Sequence, residues 1–258
     1  MIVVNVSNNQ SPTITITAPS NETVYSAPAS INITATASDA DGTIKDVKFY
    51  NGATLLYTDT SYPFTYTWTQ VATGTYSITA VATDNNSATT TSTAITVIVN
   101  TTQSISLSSG WNLISINVVP FKNDISFIFE SLGSNLLTVK DANGFYDPSQ
   151  TAFKNSLSTI ELGKGYLVKV ATATTLSVVG QPAPATSIKL KSGWNLIGYP
   201  KQSAGTITNS LSGIWTQFLQ LKDFNGFYIK NGTMNSLNNM SPNAGYFIKV
   251  NADCTLNY

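Results

Sequence analysis

Along the first hundred positions, apolar and polar residues alternate in short runs. Ile14 and Ile16 alternate with Thr13, Thr15 and Thr17, and Ile31-Asn32-Ile33-Thr34-Ala35-Thr36-Ala37 and Val47-Lys48-Phe49-Tyr50 follow. A period of two sends one side chain inward and the next to solvent, which is the pattern of a half-buried strand. Turn residues separate the runs at Pro19-Ser20-Asn21, Asp39-Ala40-Asp41-Gly42, Asn51-Gly52 and Asp84-Asn85-Asn86. This spacing predicts an antiparallel sandwich of about seven strands over residues 11–100.

The second half repeats itself. Ser109-Gly110-Trp111-Asn112-Leu113-Ile114 returns as Ser192-Gly193-Trp194-Asn195-Leu196-Ile197, and Val139-Lys140-Asp141 as Leu221-Lys222-Asp223. Asn143-Gly144-Phe145-Tyr146 returns as Asn225-Gly226-Phe227-Tyr228, and Gly165-Tyr166-Leu167-Val168-Lys169-Val170 as Gly245-Tyr246-Phe247-Ile248-Lys249-Val250. A constant offset of this kind marks a duplication. Asn-Gly between apolar runs predicts a tight hairpin with positive φ in each copy. Each copy also carries one short helix: residues 125–132, capped by Asp124 and ended by Gly133, and residues 206–211. The expected fold class is therefore all-β, an antiparallel sandwich plus two duplicated small β-modules, each with one short helix. Residues 1–10 read as a remnant strand and linker, 11–100 as the sandwich, 105–180 as the first β-module and 188–258 as the second.

The segments PTITITAPSN, ITATASDADGTIKDVKFYNG, LLYTDTSYPFTYTW and GTYSITAVATDNNSATTTSTAITVIV resemble the bacterial immunoglobulin-like domains strung along secreted glycoside hydrolases and surface proteins. That resemblance covers residues 11–100 and implies a spacer or presentation module with no catalytic residue. Residues 105–258 resemble the GWNL-type tandem β-modules found near the C-termini of secreted enzymes and surface-layer proteins.

Composition narrows the function. Charged residues make up 10% of the 258 positions, against about 25% in ordinary soluble domains. Thirteen Lys and Arg balance thirteen Asp and Glu, which provides no basic field for nucleic acid. His is absent and Cys254 is the single cysteine, so His-based acid/base chemistry, Ser-His or Cys-His nucleophiles, the usual zinc sites and an intrachain disulfide are excluded. Without eighteen consecutive apolar residues there is no predicted membrane span. Met1-Ile2-Val3-Val4 lacks the basic start of a signal peptide, and the expectation is a piece excised from a longer extracellular or cell-surface protein.

Four groups of side chains invite a functional reading beside a packing one. Tyr62, Phe64, Tyr66 and Trp68 share one strand face and are assigned to the core. Trp111 and Trp194, at equivalent positions, are likewise assigned to packing. Trp215 aligns with Gly133, so no shared core position requires its indole. With Tyr146, Tyr228, Gln217 and Gln220 it forms the candidate sugar-stacking set, ordinary packing being the other reading of the same residues. Asp39 and Asp41 open a possible calcium loop, although no Glu follows at the twelfth position and a plain Asp/Gly turn reads as well. No other cofactor is expected. The expected function is non-catalytic, glycan-binding or adhesive, with polysaccharide and neighbouring modules as partners. The alternative is a structural subunit of a surface layer or filament, in which residues 2–6 add as a strand to a neighbour.

Overall fold

The computed structural model describes residues 8–258; residues 2–6, on which the remnant-strand and strand-addition readings both rest, lie outside the described residues. Strands take 54% of the chain and helices 8%, so the protein is all-β. The chain divides into two compact units at Asn100 and Thr101.

The first unit contains β1 (Thr13–Ala18), β2 (Thr23–Ser26), β3 (Ala29–Ser38), β4 (Ile44–Asn51), β5 (Thr54–Asp59), β6 (Phe64–Val71), β7 (Gly74–Asp84), β8 (Thr89–Thr91) and the start of β9 (Ile95–Leu107). One sheet runs β1-β3-β6; the other brings β9, β7, β4 and β5 together, with β2 parallel on β9 and β8 on β7. The alternation read from the sequence is the alternation of burial: Ile31, Ile33 and Ala35 point inward while Asn32 and Thr36 face solvent. Phe64 is buried, and Tyr66 and Trp68 pack against the same core, whereas Tyr62, ahead of β6, stays exposed.

The second unit contains the rest of β9, then β10 (Gly110–Ser115), β11 (Val118–Pro120), α1 (Ile125–Ile128), β12 (Leu136–Lys140), β13 (Phe145–Tyr146), β14 (Gly165–Val170) and β15 (Thr174–Pro182). It continues through β16 (Ser187–Leu190), β17 (Gly193–Gly198), β18 (Gly205–Thr206), α2 (Ile207–Ser210), β19 (Phe218–Lys222), β20 (Phe227–Ile229), β21 (Asn239–Met240), β22 (Gly245–Val250) and β23 (Cys254–Asn257). Two four-stranded sheets have the same order, β10-β14-β12-β13 and β17-β22-β19-β20. Their registers match as well, Trp111 opposite Lys169 and Trp194 opposite Lys249. Each sheet covers its own buried cluster, one centred on Tyr166 and Val168, the other on Tyr246 and Ile248.

The two halves of this unit meet reciprocally. Ile114 bridges to Ala244, and Lys164 to Ile197. A Cβ on Gly165 would lie 2.6 Å from the Ile197 carbonyl oxygen, and one on Gly245 would lie 2.7 Å from that of Ile114. Both glycines are there because backbone approaches backbone.

Local details differ from expectation in two places. Asp124 makes no side-chain cap; α1 ends at Ile128 and a 3-10 segment, Glu130–Asn135, follows. In the second copy Thr206 does cap α2, accepting from the Asn209 N–H at 3.4 Å. Both Asn-Gly hairpins form, but neither glycine has a positive φ. Instead, the Asp141 and Asp223 carboxylates accept the N–H groups of the next Asn and Gly at 2.7–2.8 Å, a side-chain turn that needs no left-handed residue.

Candidate functional site

Within the repeated Ser-Gly-Trp-Asn-Leu-Ile motif the glycine, the asparagine and the isoleucine have separable roles. Gly110 and Gly193 adopt φ of +91° and +98° at the head of their strands, a region that disfavours any side chain. Asn112 and Asn195 tie down the preceding loop: the side-chain oxygen accepts the N–H of Ser108 or Lys191, and the amide donates back to the carbonyl of that residue. Ile114 and Ile197 are buried.

The tryptophan performs none of these roles. Strand parity places Trp111 with Leu113 on the face opposite Ile114, and Trp194 with Leu196 opposite Ile197. Trp111 is 40% exposed and Trp194 45%. The assignment of both to the core is thereby corrected: their equivalence reflects a repeated outer face and not a repeated interior.

Each indole is flanked by two lysines from neighbouring strands. Lys140 and Lys169 hold their Nζ atoms 5.4 and 5.8 Å from the Trp111 ring centroid; Lys222 and Lys249 lie 4.7 and 5.9 Å from that of Trp194. These distances fall in the cation–π range. Among the described residues none of the four lysines forms an ion pair, whereas Lys48, Lys164 and Lys191 do.

A groove adjoins each tryptophan, and its far wall comes from the other copy. Beside Trp194 a space of about 520 Å³ is closed by residues 141–143 and 161–165 together with Lys189 and Lys191. Beside Trp111 one of about 580 Å³ is closed by residues 223–225 and 242–245. Buried phenols hold these walls: Tyr166 Oη accepts the Glu161 N–H at 2.7 Å and Tyr246 Oη the Ser241 N–H at 2.8 Å. Burial pushes both phenols above their ordinary value, which keeps them neutral. The grooves differ in chemistry. The first holds the buried Asp141 carboxylate, 3.7 Å from Lys164 Nζ. In the second, Ala244 replaces Lys164 and exposed Phe224 replaces Ala142.

Of the residues singled out from the sequence, Trp215 and Tyr228 come together, but on the core side and away from the two outward tryptophans. Trp215 is half-buried, its ring 5.3 Å from Phe218 and 6.3 Å from Tyr228, and Lys230 donates to its carbonyl oxygen. Trp215 packs against the second core cluster, in line with the packing reading of this residue. Tyr146 and Tyr228 also pack inward, while Phe145 and Phe227, 39% and 38% exposed, turn outward. Register decides this, since Phe145 sits opposite Lys140 and Phe227 opposite Lys222 on the outer face. Gln217 is half-buried at the turn before β19. Gln220 pairs with Lys249 and so shares the face of Trp194.

The Asp39 turn holds an anomaly. Both Asp39 carboxylate oxygens are buried and have no hydrogen-bond partner among the described residues. A Cβ on Gly42 would lie 2.5 Å from Asp39 Oδ2 and closer still to Asn85 Oδ1, so these two oxygens converge on one spot. Asp41 accepts from the Gln10 N–H at 3.1 Å. Nearby, Asp84 accepts from Asn9 Nδ2 and from the N–H groups of Asn86 and Ala88. A buried carboxylate without donors is costly, and two converging oxygens suit a hard cation. Asn85 Oδ1 also accepts the Thr43 N–H at 2.8 Å, and among the described residues no group of three or more acidic side chains gathers here, so the turn offers two of the roughly six to eight oxygens that calcium takes.

Residues 12–80 match the family model of the bacterial Ig domain. No curated protein matches the chain. Among solved structures, the chain is similar to the fibronectin(III)-like modules of Clostridium thermocellum CbhA, with 34% identity over 34% of this chain and 94% of that one, at a TM-score of 0.33. It is also similar to a structure of carbohydrate-binding modules from the β-sandwich superfamily, 16% identical over 97% of both chains at a TM-score of 0.30. A Bacteroides ovatus SGBP-B in complex with a mixed-linkage heptasaccharide is 12% identical over 91% of this chain and 62% of that one, at a TM-score of 0.28. At these scores no ligand-contacting residue carries over from the neighbours.

Proposed function

We propose that this chain is a non-catalytic glycan-binding module of an extracellular or cell-surface protein, in which the first unit spaces and the second binds. The observation that carries this reading is the pair of outward tryptophans, 40% and 45% exposed at equivalent positions of a repeated motif, on the face away from each core. An exposed indole offers a flat apolar face to sugar C–H groups, and the adjoining groove gives a chain a path along it. Affinity electrophoresis of the full chain in gels containing soluble polysaccharides, with pull-down on insoluble ones, tests the reading. Retardation by at least one polysaccharide, lost in Trp111→Ala/Trp194→Ala, is the expected result; no retardation by any of them, or retardation that survives the double substitution, contradicts it.

A calcium ion at the Asp39 turn of the first unit completes the proposal. Asp39 and Asn85 would hold it, and bound there it supplies the positive charge that the buried Asp39 carboxylate otherwise lacks. Its role is structural, locking the turn before β4 to the turn after β7.

A further inference from the structure

We infer that the two tryptophan faces take an anionic polysaccharide, a chain of uronate or sulfated sugars, in preference to a neutral one; this rests on the glycan reading above. Each indole already carries two ammonium groups over its ring, Lys140 and Lys169 on Trp111, and Lys222 and Lys249 on Trp194. A sugar that stacks there must displace them and forfeit the cation–π attraction. A neutral sugar returns little, because an ammonium only donates and is well hydrated. A carboxylate or sulfate on the sugar receives the displaced ammonium in a charge-assisted hydrogen bond, roughly twice as strong as a neutral one. The same ligand property therefore satisfies both parts of the site.

The distribution of charge agrees. The neutral total conceals a division: the first unit carries two lysines against six carboxylates, net −4, and the second eleven lysines against seven, net +4. Among the described residues none of the four lysines on the tryptophan faces forms an ion pair with a carboxylate. Asp147, which shares a shallow depression with Lys140, Phe145 and Lys169, is already engaged by the Ser149 N–H and hydroxyl at 2.9 and 2.7 Å. The duplication kept this charge arrangement while the groove walls diverged, Lys164 and Glu161 in one copy standing where Ala244 and Ser241 stand in the other.

Matched polymers separate the class of ligand from binding itself. The full chain is titrated with polygalacturonate and with its methyl ester, and in a second pair with dextran sulfate and dextran. The expected result is at least one charged polymer bound about tenfold or more tighter than its uncharged partner at low salt, with the difference shrinking as salt rises. Lys140→Gln/Lys169→Gln/Lys222→Gln/Lys249→Gln should bring the charged polymer down to the uncharged level. A control variant with the same net charge, Lys45→Gln/Lys122→Gln/Lys154→Gln/Lys201→Gln, should not. Equal affinity within both pairs overturns the anionic preference and leaves the glycan reading standing. An equal loss in the control variant overturns the assignment to the tryptophan faces. Failure to bind any of the four polymers overturns the anionic preference, and it reaches the glycan reading only if the wider polysaccharide panel also fails.

Discussion

Replacing Trp111 or Trp194 by alanine distinguishes an outer-face tryptophan from a core one by magnitude. A fully enclosed aromatic side chain buries about 150–250 Å². With 40–45% of each residue exposed, roughly 120 Å² is left to lose, about 3 kcal/mol at 25 cal/mol per Å². Alanine keeps part of that burial, and extended-chain areas overstate the change by about 10–40%, which brings the expected cost to about 2 kcal/mol. No cavity penalty is added, because solvent fills the vacated surface; a closed-core deletion would cost about 3–5 kcal/mol. For a unit of this size 2 kcal/mol corresponds to a fall in Tm of about 4–8 °C. Calorimetry on each single variant reads the stability, and affinity electrophoresis reads a binding loss of about tenfold or more, as for an aromatic hot spot. A loss of 4 kcal/mol or more, or unchanged binding at a Tm close to that of the parent, would refute the reasoning.

Trp215→Ala should show the opposite profile, a cost of about 2–4 kcal/mol from the Phe218–Tyr228 cluster with glycan affinity unchanged, read by the same two assays. In chelator-treated protein, calcium should raise the unfolding temperature of the first unit, by about 2.7 kcal/mol of stability at a hundredfold excess over Kd, and Asp39→Asn should abolish that rise in differential scanning calorimetry. Gly165→Ala or Gly245→Ala should destabilise the second unit alone, since the new Cβ meets backbone carbonyl oxygen, which thermal unfolding followed by circular dichroism will show. Burial pushes the Asp84 carboxyl up, but hydrogen bonds from the Asn9 side chain and the backbone of Ala88, Asn86 and Ser87 outweigh it and hold the group below its ordinary value. A depressed folded pKa gives stability that is complete above the unfolded value near 3.9 and is lost as pH falls through the folded one; Asp84→Asn should therefore flatten this acid limb in a pH series of melting curves.

Much of the fold was legible because strand alternation is a local signal. Ile31 and Ile33 against Asn32 state which face is inward without reference to any partner. The second unit was legible as a duplication for the same reason, since its motifs recur in order. Pairing register was not legible, and the site depends on it. Whether Phe145 or Tyr146 points outward follows from which of them sits opposite Lys140, a contact across a hairpin whose turn is set by the Asp141 carboxylate. The parity that exposes Trp111 was available, for Ile114 three positions on is an ordinary core residue. So were the repeated lysines in Val139-Lys140-Asp141 and Leu221-Lys222-Asp223. Equivalence between copies suggests a packing requirement, although a repeated binding face produces the same equivalence. Trp215 misled for the converse reason: a residue without a counterpart in the other copy can still fill a local core, here against Phe218 and Tyr228.

The most direct measurement is an NMR titration of the four indole N–H resonances with a polysaccharide fragment that the affinity gels show to bind. Trp111 and Trp194 should shift together with the fragment concentration while Trp68 and Trp215 hold still. Shifts confined to Trp68 or Trp215, or binding that moves none of the four, would contradict the placement of the glycan site on the outer faces of the second unit.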